Sequence, residues 1–189
     1  MLTNREKFLE VASALMEKQG YHATGLNEIL KKSGAPKGSL YYYFPEGKEQ
    51  IASEVILGAG KIISARIQEK MQAEPDAGKA IHDFLETVAC RMEETKFQSG
   101  SPFTMLAMES ATESKRINQA CREAYSMLIG AFKDGLEKGG MEVARAESVA
   151  ELIVSAVEGS IVLSRTYLSA DHLRQIADHI EQMVSYTNN

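Results

Sequence analysis

Residues 34–44 read Gly-Ala-Pro-Lys-Gly-Ser-Leu-Tyr-Tyr-Tyr-Phe and gather groups that can bond a phosphate within about two helical turns. Lys37 brings a cation, Ser39 a hydroxyl, and Tyr41, Tyr42 and Tyr43 three phenols. Contacts of this kind to phosphate oxygens set the register of a protein on duplex DNA. The competing reading is a tyrosine-rich packing helix. One helix cannot bury three successive side chains, so at least one or two of the tyrosines must point outward. Leu40 and Phe44, four apart, can face inward together.

The elements around this stretch follow from turn and cap residues. Gly34 can take the left-handed conformation that ends one helix and redirects the chain. Pro36 sits at or beside the first helical position, where a missing N–H costs little. Upstream, Thr3 and Glu6 have the spacing of a capping box. Phe8, Val11, Ala12, Leu15 and Met16 then give one apolar face, and Gly20 ends that helix. A second, short helix opens at Thr24 and Gly25, with Leu26, Ile29 and Leu30 inside and Lys31 and Lys32 outside. Three short helices with a tight glycine turn before the third predict a helix-turn-helix, whose third helix enters the major groove.

The charge distribution agrees. The chain carries a net charge of −5, yet residues 1–48 hold seven basic against five acidic side chains, an excess of +2 that leaves −7 on the rest. A mildly basic head on an acidic body suits a head that meets phosphate and a body that does not. Hydrophobic content is 44% and only four prolines occur, which predicts an all-α protein.

Residues 5–52 resemble the DNA-binding head of the TetR family of bacterial transcriptional regulators. The resemblance rests on Gly-Ser-Leu-Tyr-x-Tyr-Phe at 38–44, followed by Lys-Glu at 48–49. Pro45-Glu46-Gly47 makes that gap one residue longer than the commonest spacing. This feature, with Gly100-Ser101-Pro102-Phe103 further on, is similar to the LmrA/YxaF-type branch, whose members more often have cysteine where Ser101 stands. The resemblance implies that Lys37, Gly38, Ser39 and Tyr41 face the groove or its rim. It implies phosphate contacts for Tyr42, Tyr43 and Lys48. Thr24 and Gly25 stand where the family has a hydroxyl pair, which makes Thr24 a candidate DNA contact; Gly25 departs from the pair and leaves a backbone N–H there. The expected domains are a head over 1–47 and a helical body for effector binding and dimerisation over 48–189.

In the body, helices are expected over about 48–72, 76–96, 114–138, 144–168 and 171–186, with a short one after Phe103. Gly58 and Gly60 inside the first of these suggest close packing or a bend. The resemblance implies a ligand pocket, with Phe84, Met92, Phe103, Met105, Met108, Tyr125, Ile129 and Phe132 as candidate walls; for any single one of them, core is the plainer reading. Methionines accommodate ligands of varied shape, and the expected effector is a small, flat, apolar or aromatic molecule, drug-like or flavonoid-like by the branch resemblance. The helix over 144–168 is apolar nearly all round and must be covered on more than one side. A second copy of the chain is the expected cover. Ile153, Ala156, Val157, Gly159 and Ser160, with Ile176, Ile180 and Met183 of the last helix, are the candidate interface. The resemblance implies a four-helix homodimer contact, and a two-fold dimer would demand a palindromic operator.

Other chemistries find little support. Cys90 and Cys121 are too few for a disulfide framework and read as core thiols. His172 and His179 share a helix face without the carboxylates or cysteines of a metal site, and His22 and His82 stand alone. No metal or cofactor is expected. No nucleophile elbow, phosphate loop or zinc motif occurs, which leaves an enzyme with dispersed catalytic residues as a rival. A non-allosteric DNA-binding protein is the other rival, against which the large body argues. No signal-peptide run is present, and the most apolar stretch, 152–163, is too short to span a bilayer. The expectation is a cytoplasmic repressor that a ligand releases from DNA.

Overall fold

A computed structural model describes residues 2–98, 100, 101 and 103–185. Among these residues are nine helices and no strand. They are α1 (Asn4–Ala23), α2 (Leu26–Ser33), α3 (Lys37–Tyr43), α4 (Lys48–Ala73), α5 (Ala77–Glu94), α6 (Thr104–Ser110), α7 (Lys115–Lys138), α8 (Val143–Tyr167) and α9 (Asp171–Ser185). The all-α expectation holds, with the helix bounds of the body within one or two residues of those read from periodicity and caps; α1, expected to end at Gly20, continues past a break there to Ala23. The chain divides into two compact units. The first comprises Met1–Ala59 and Ser101–Ala124, the second Gly60–Gly100 and Tyr125–Asn189. The first is therefore larger than the segment 1–47, because it takes in the start of α4, all of α6 and the start of α7.

Caps explain where the helices of the first unit begin and stop. The Thr3 hydroxyl accepts from the Glu6 N–H at 3.3 Å, and the Glu6 carboxylate accepts from the Thr3 N–H at 2.8 Å. This is the predicted capping box. The hydrogen bonds from Thr3 also hold the Glu6 carboxyl below the usual carboxylate range. Gly34 ends α2 at φ +63°, a left-handed conformation that a side chain would strain. Just before it, the Ser33 hydroxyl donates to the Leu30 carbonyl at 2.9 Å and accepts from the Ala35 N–H at 3.3 Å, which stitches the turn. Pro36 is the residue before α3, at φ −61°. Phe8, Ala12, Leu15, Met16, Ile29, Leu40 and Phe44 form the buried set on these three helices, with Phe8 and Phe44 meeting edge to face at 6.2 Å. At the start of α4, Ile51, Ala52, Val55 and Ile56 are buried too.

In the second unit, α5 packs on α9 and α9 on α8. Asp76 caps α5 by accepting from the Lys79 N–H at 3.1 Å, as its position predicts. Gly78 lets α9 come close, since a Cβ there would lie 2.9 Å from the Glu181 carbonyl oxygen. Ala89, Met92, Ile161, Ala170 and Leu173 form a buried cluster, with Val88, Phe97 and Val157 against it. Arg174 of α9 forks across α5, reaching Glu86 at 3.0 Å and Glu93 at 2.7 Å. The same guanidinium holds both carboxyls below their usual range. Gly58 of α4 has open space around its missing side chain, so close packing within the chain does not account for it.

Candidate nucleic-acid interface

Helix α3 divides its residues as the spacing requires. Leu40 and Phe44 are buried, while Tyr41 is 52% and Tyr42 79% exposed. Two large phenols on the surface, beside exposed Lys37 and Gly38, make a face that can donate hydrogen bonds over a short distance. Tyr43 is half-buried and its ring meets that of Tyr42 edge to face at 5.2 Å. The Ser39 hydroxyl donates to the Pro36 carbonyl at 2.6 Å. Its oxygen keeps lone pairs for an incoming donor, so Ser39 can accept from a base or a water rather than donate to phosphate.

Lys48 has a second role that its spacing did not reveal. Its ammonium donates to the Tyr21 carbonyl at 3.0 Å and lies 4.2 Å from the centre of the Tyr21 ring. Partial burial pulls its pKa below the usual lysine value. One of its three N–H donors is thus used inside the chain, which fixes the charge at the start of α4 and leaves two for a phosphate.

Thr24 is a correction. It was expected to contact DNA, but it is fully buried. Its hydroxyl donates to the Gly20 carbonyl at 2.7 Å, and its N–H donates to the Tyr21 carbonyl at 3.2 Å. Both donors serve the end of α1. The backbone at Gly25, with no side-chain cap on α2, remains exposed.

The residue that sequence reasoning missed is Glu109 of α6. Its carboxylate accepts from the Tyr21 N–H at 2.7 Å and the His22 N–H at 3.3 Å. The Glu109 backbone carbonyl lies 3.2 Å from the His22 ring nitrogen Nε2. These groups fill the break in α1 at Gly20, whose φ of +82° turns the helical N–H groups outward. Tyr21 and Glu109 are 88 positions apart, so no local pattern signals the pair.

The candidate pocket walls fall in both units. In the second, Phe84 and Phe132 are buried with ring centroids 5.8 Å apart, Met92 lies in the α5–α8–α9 cluster, and Tyr125 and Ile129 are half-buried on α7. In the first, Phe103 is buried and Met105 half-buried. Met108, expected as a wall, is 78% exposed. The inward face of α6 is set by Leu106 and Ser110, four apart, and Met108 falls between them on the other side.

The candidate dimer residues also divide. Ile153, Ser160 and Ile180 are buried by their own chain, so they are core and not contact residues. Ala156, Val157, Ile176 and Met183 are half-buried, and Gly159 is exposed. The outward large apolar residues of α8 are Val143 at its start and Leu152, Val162, Leu163 and Tyr167. Because α8 is apolar nearly all round, its sequence does not say which row is internal; packing on α9 decides it.

His82 is not alone, since Asp178 lies 3.3 Å and Asp83 3.6 Å from its ring nitrogens. Among the described residues no group of three His, Cys, Asp or Glu could hold a metal ion. No described helix is long and apolar enough to cross a membrane.

Comparison with known proteins decides the family. Residues 8–55 match the bacterial regulatory proteins of the tetR family, and residues 77–179 match the C-terminal domain of LmrA/YxaF-like transcriptional regulators. The chain belongs to the TetR family. This TetR-family chain is 40% identical over 181 residues to the HTH-type transcriptional regulator YxaF of Bacillus subtilis (strain 168), covering 96% of this chain and 95% of that one. It is 37% identical to the HTH-type transcriptional regulator LmrA of the same organism, over 96% of each. A TetR transcriptional regulator from Legionella pneumophila shares the fold, with a TM-score of 0.85 at 24% identity over 97% of this chain and 98% of that chain. The TetR-family chain is therefore a DNA-binding transcriptional regulator with an LmrA/YxaF-like C-terminal domain, and the branch read from Pro45, Gly47 and residues 100–103 is the right one.

Proposed function

We propose that this regulator is a cytoplasmic homodimeric repressor that binds a palindromic operator and leaves it when a small apolar or aromatic ligand binds the body. The observation that carries the DNA-reading part is the exposure of Tyr41 and Tyr42 on a helix whose alternate residues, Leu40 and Phe44, are locked in the core. Among the described residues no hydrogen bond uses those phenols, and they stand beside Lys37 on a short helix after a tight turn. Lys37, Gly38, Ser39, Tyr41, Tyr42 and Tyr43, on a head of residues 1–47, and Lys48 at the start of α4 are the proposed DNA residues. The remainder, 48–189, is the effector and dimerisation domain, with Phe84, Met92, Tyr125, Ile129 and Phe132 as the proposed apolar walls. Regulation is linkage: the ligand favours a spacing of the two heads that no longer matches successive major grooves, for a coupling of about 1–3 kcal/mol.

The test is a genomic-fragment binding assay with the purified chain, repeated with a panel of planar aromatic compounds. A palindrome bound tightly and lost with one compound supports every part of the reading. Binding that no compound disturbs removes the ligand-release step. Absence of sequence-specific binding at moderate salt removes the operator.

A further inference from the structure

Lys48 stands among three carboxylates. Glu46 and Glu49 flank it in the chain, and Glu109 of α6 favours its charged form. A lysine so placed is drawn to such groups, and a salt-bridged ammonium has less charge to offer a phosphate. Its ammonium instead donates to the Tyr21 carbonyl, because each carboxylate has another partner. Glu109 accepts from the N–H groups of Tyr21 and His22 at 2.7 and 3.3 Å. Glu49 accepts from the Ser114 hydroxyl, and Glu46 pairs with the Arg116 guanidinium. Ser114 caps α7 by accepting from the Ile117 N–H at 3.0 Å, so these last two partners both come from the start of α7. In the chain Arg116 belongs to the acidic body. In the fold it lies in the same compact unit as α3 and the start of α4.

Of the three carboxylates, Glu46 is the exposed one. It sits in the turn between Tyr43 and Lys48, two of the proposed phosphate contacts. Gln50 ties that turn to the end of α3. Its Oε1 accepts from the Glu46 N–H at 3.2 Å, and its Nε2 donates to the Tyr43 carbonyl at 3.3 Å. Residues two apart have Cα atoms at most about 7 Å apart, inside the screening length of about 10 Å at 0.1 M salt. A bare carboxylate at residue 46 would repel a phosphate held by Tyr43 and Lys48, and would compete for the Lys48 ammonium. Paired with a guanidinium, it does neither.

We infer that Arg116 is a positioning residue for DNA binding, which pairs with Glu46 and so keeps that carboxylate from repelling the phosphate and from capturing Lys48. The inference rests on the phosphate role proposed above for Lys48. An ion pair this exposed contributes little to folding, so Arg116 should show itself in binding and not in stability. Its effect is independent of base sequence, because phosphates are alike on every duplex.

The experiment is fluorescence anisotropy on a random-sequence duplex pool at about 50 mM salt, where phosphate attraction is strong. The full-length wild type is compared with Lys48→Ala, Arg116→Ala, Glu46→Gln, the double variant Arg116→Ala/Glu46→Gln, and Lys115→Ala. We expect Arg116→Ala to bind about fivefold or more weakly, and the double variant to return within about twofold of wild type. Lys115→Ala removes the neighbouring charge on α7 and should also stay within about twofold. Glu46→Gln alone should bind at least as tightly as wild type. The unfolding temperature of Arg116→Ala should stay within about 2 °C of wild type; a larger fall overturns the inference, because the pair would then serve the fold. Equal affinity of Arg116→Ala and wild type overturns it. So does a double variant that is not restored, because Arg116 would then meet the phosphate itself. An equal loss in Lys115→Ala overturns it too, since the overall charge of α7 would suffice. If Lys48→Ala binds as tightly as wild type, the phosphate role of Lys48 fails and this inference with it. A loss in Lys48→Ala without one in Arg116→Ala overturns this inference alone.

Discussion

Tyr42 is the side chain whose chemistry is least committed to the fold. It is 79% exposed, and its ring has only an edge contact with Tyr43. Removing the hydroxyl should therefore leave stability unchanged while deleting one hydrogen bond to a charged phosphate. Tyr42→Phe is expected to weaken binding to operator and unrelated duplex alike by about 1.5 kcal/mol per head, roughly tenfold. Fluorescence anisotropy on both duplexes checks this, and a loss confined to the operator would make Tyr42 a base reader instead. The outward side of α3 was legible because its residues are neighbours in the chain and the helical period sorts them. The burial of Thr24 was not, because its hydroxyl is claimed by a carbonyl in the break of α1. The two thiols differ for a similar reason. Cys90 is exposed with its sulfur 3.5 Å from Glu86, whereas Cys121 is buried, which pushes its pKa from the ordinary 9.0 up to about 11. The folded chain then holds that proton more tightly than the unfolded chain. Its contribution to stability is full below pH 9 and is lost as pH rises through about 11. Urea unfolding from pH 8 to 11 should show a steeper loss for wild type than for Cys121→Ala.

Elements were more legible than the joints between them. The capping box at Thr3, the Gly34 turn, the Asp76 cap and the apolar rows of α5, α7 and α9 all follow from residues within a few positions of one another. The joint between α1 and α6 does not, since it needs a carboxylate from a distant helix. Gly20 turns the Tyr21 N–H out of the helical ladder, and Glu109 is the acceptor that satisfies it. Glu109→Ala should leave that half-buried donor without its partner and cost about 1–3 kcal/mol of unfolding free energy. Gly20→Ala should cost a similar amount, from a strained left-handed backbone and from a Cβ 2.1 Å from the same carboxylate. Both substitutions break one contact. The double variant should therefore lose less than the sum of the two, by about 0.5 kcal/mol or more in a double-mutant cycle read by urea unfolding. Strict additivity would show that Glu109 and Gly20 act separately.

At the scale of the whole molecule, the outer row of α8 calls for a cover. Leu152, Val162, Leu163 and Tyr167 are between 44% and 66% exposed, and Gly159 lies among them with open space around it. Positions 152, 159, 163 and 167 recur at helical spacing, so they form one stripe and not scattered residues. A stripe of this kind on a regulator proposed to read DNA through one short helix is suited to a second copy, because two heads at fixed separation would read two half-sites. Burying the exposed part of each side chain contributes on the order of 1 kcal/mol, doubled by the two-fold symmetry. A charge in the centre of the stripe must lose this contribution and face its own symmetry mate. Leu163→Asp is therefore expected to sediment as a monomer with unchanged helical circular dichroism, since residue 163 is already open to water in the single chain. Its affinity for the operator should fall by a factor of a hundred or more, while each head keeps its weak attraction to unrelated duplex. Ile153→Asp provides the contrast. Ile153 lies one residue from Leu152 but is fully buried, so a charge there should unfold the chain instead of separating two copies. A Leu163→Asp chain that still sediments as a dimer would move the interface off α8, and intact operator binding by a monomer would remove the need for two heads.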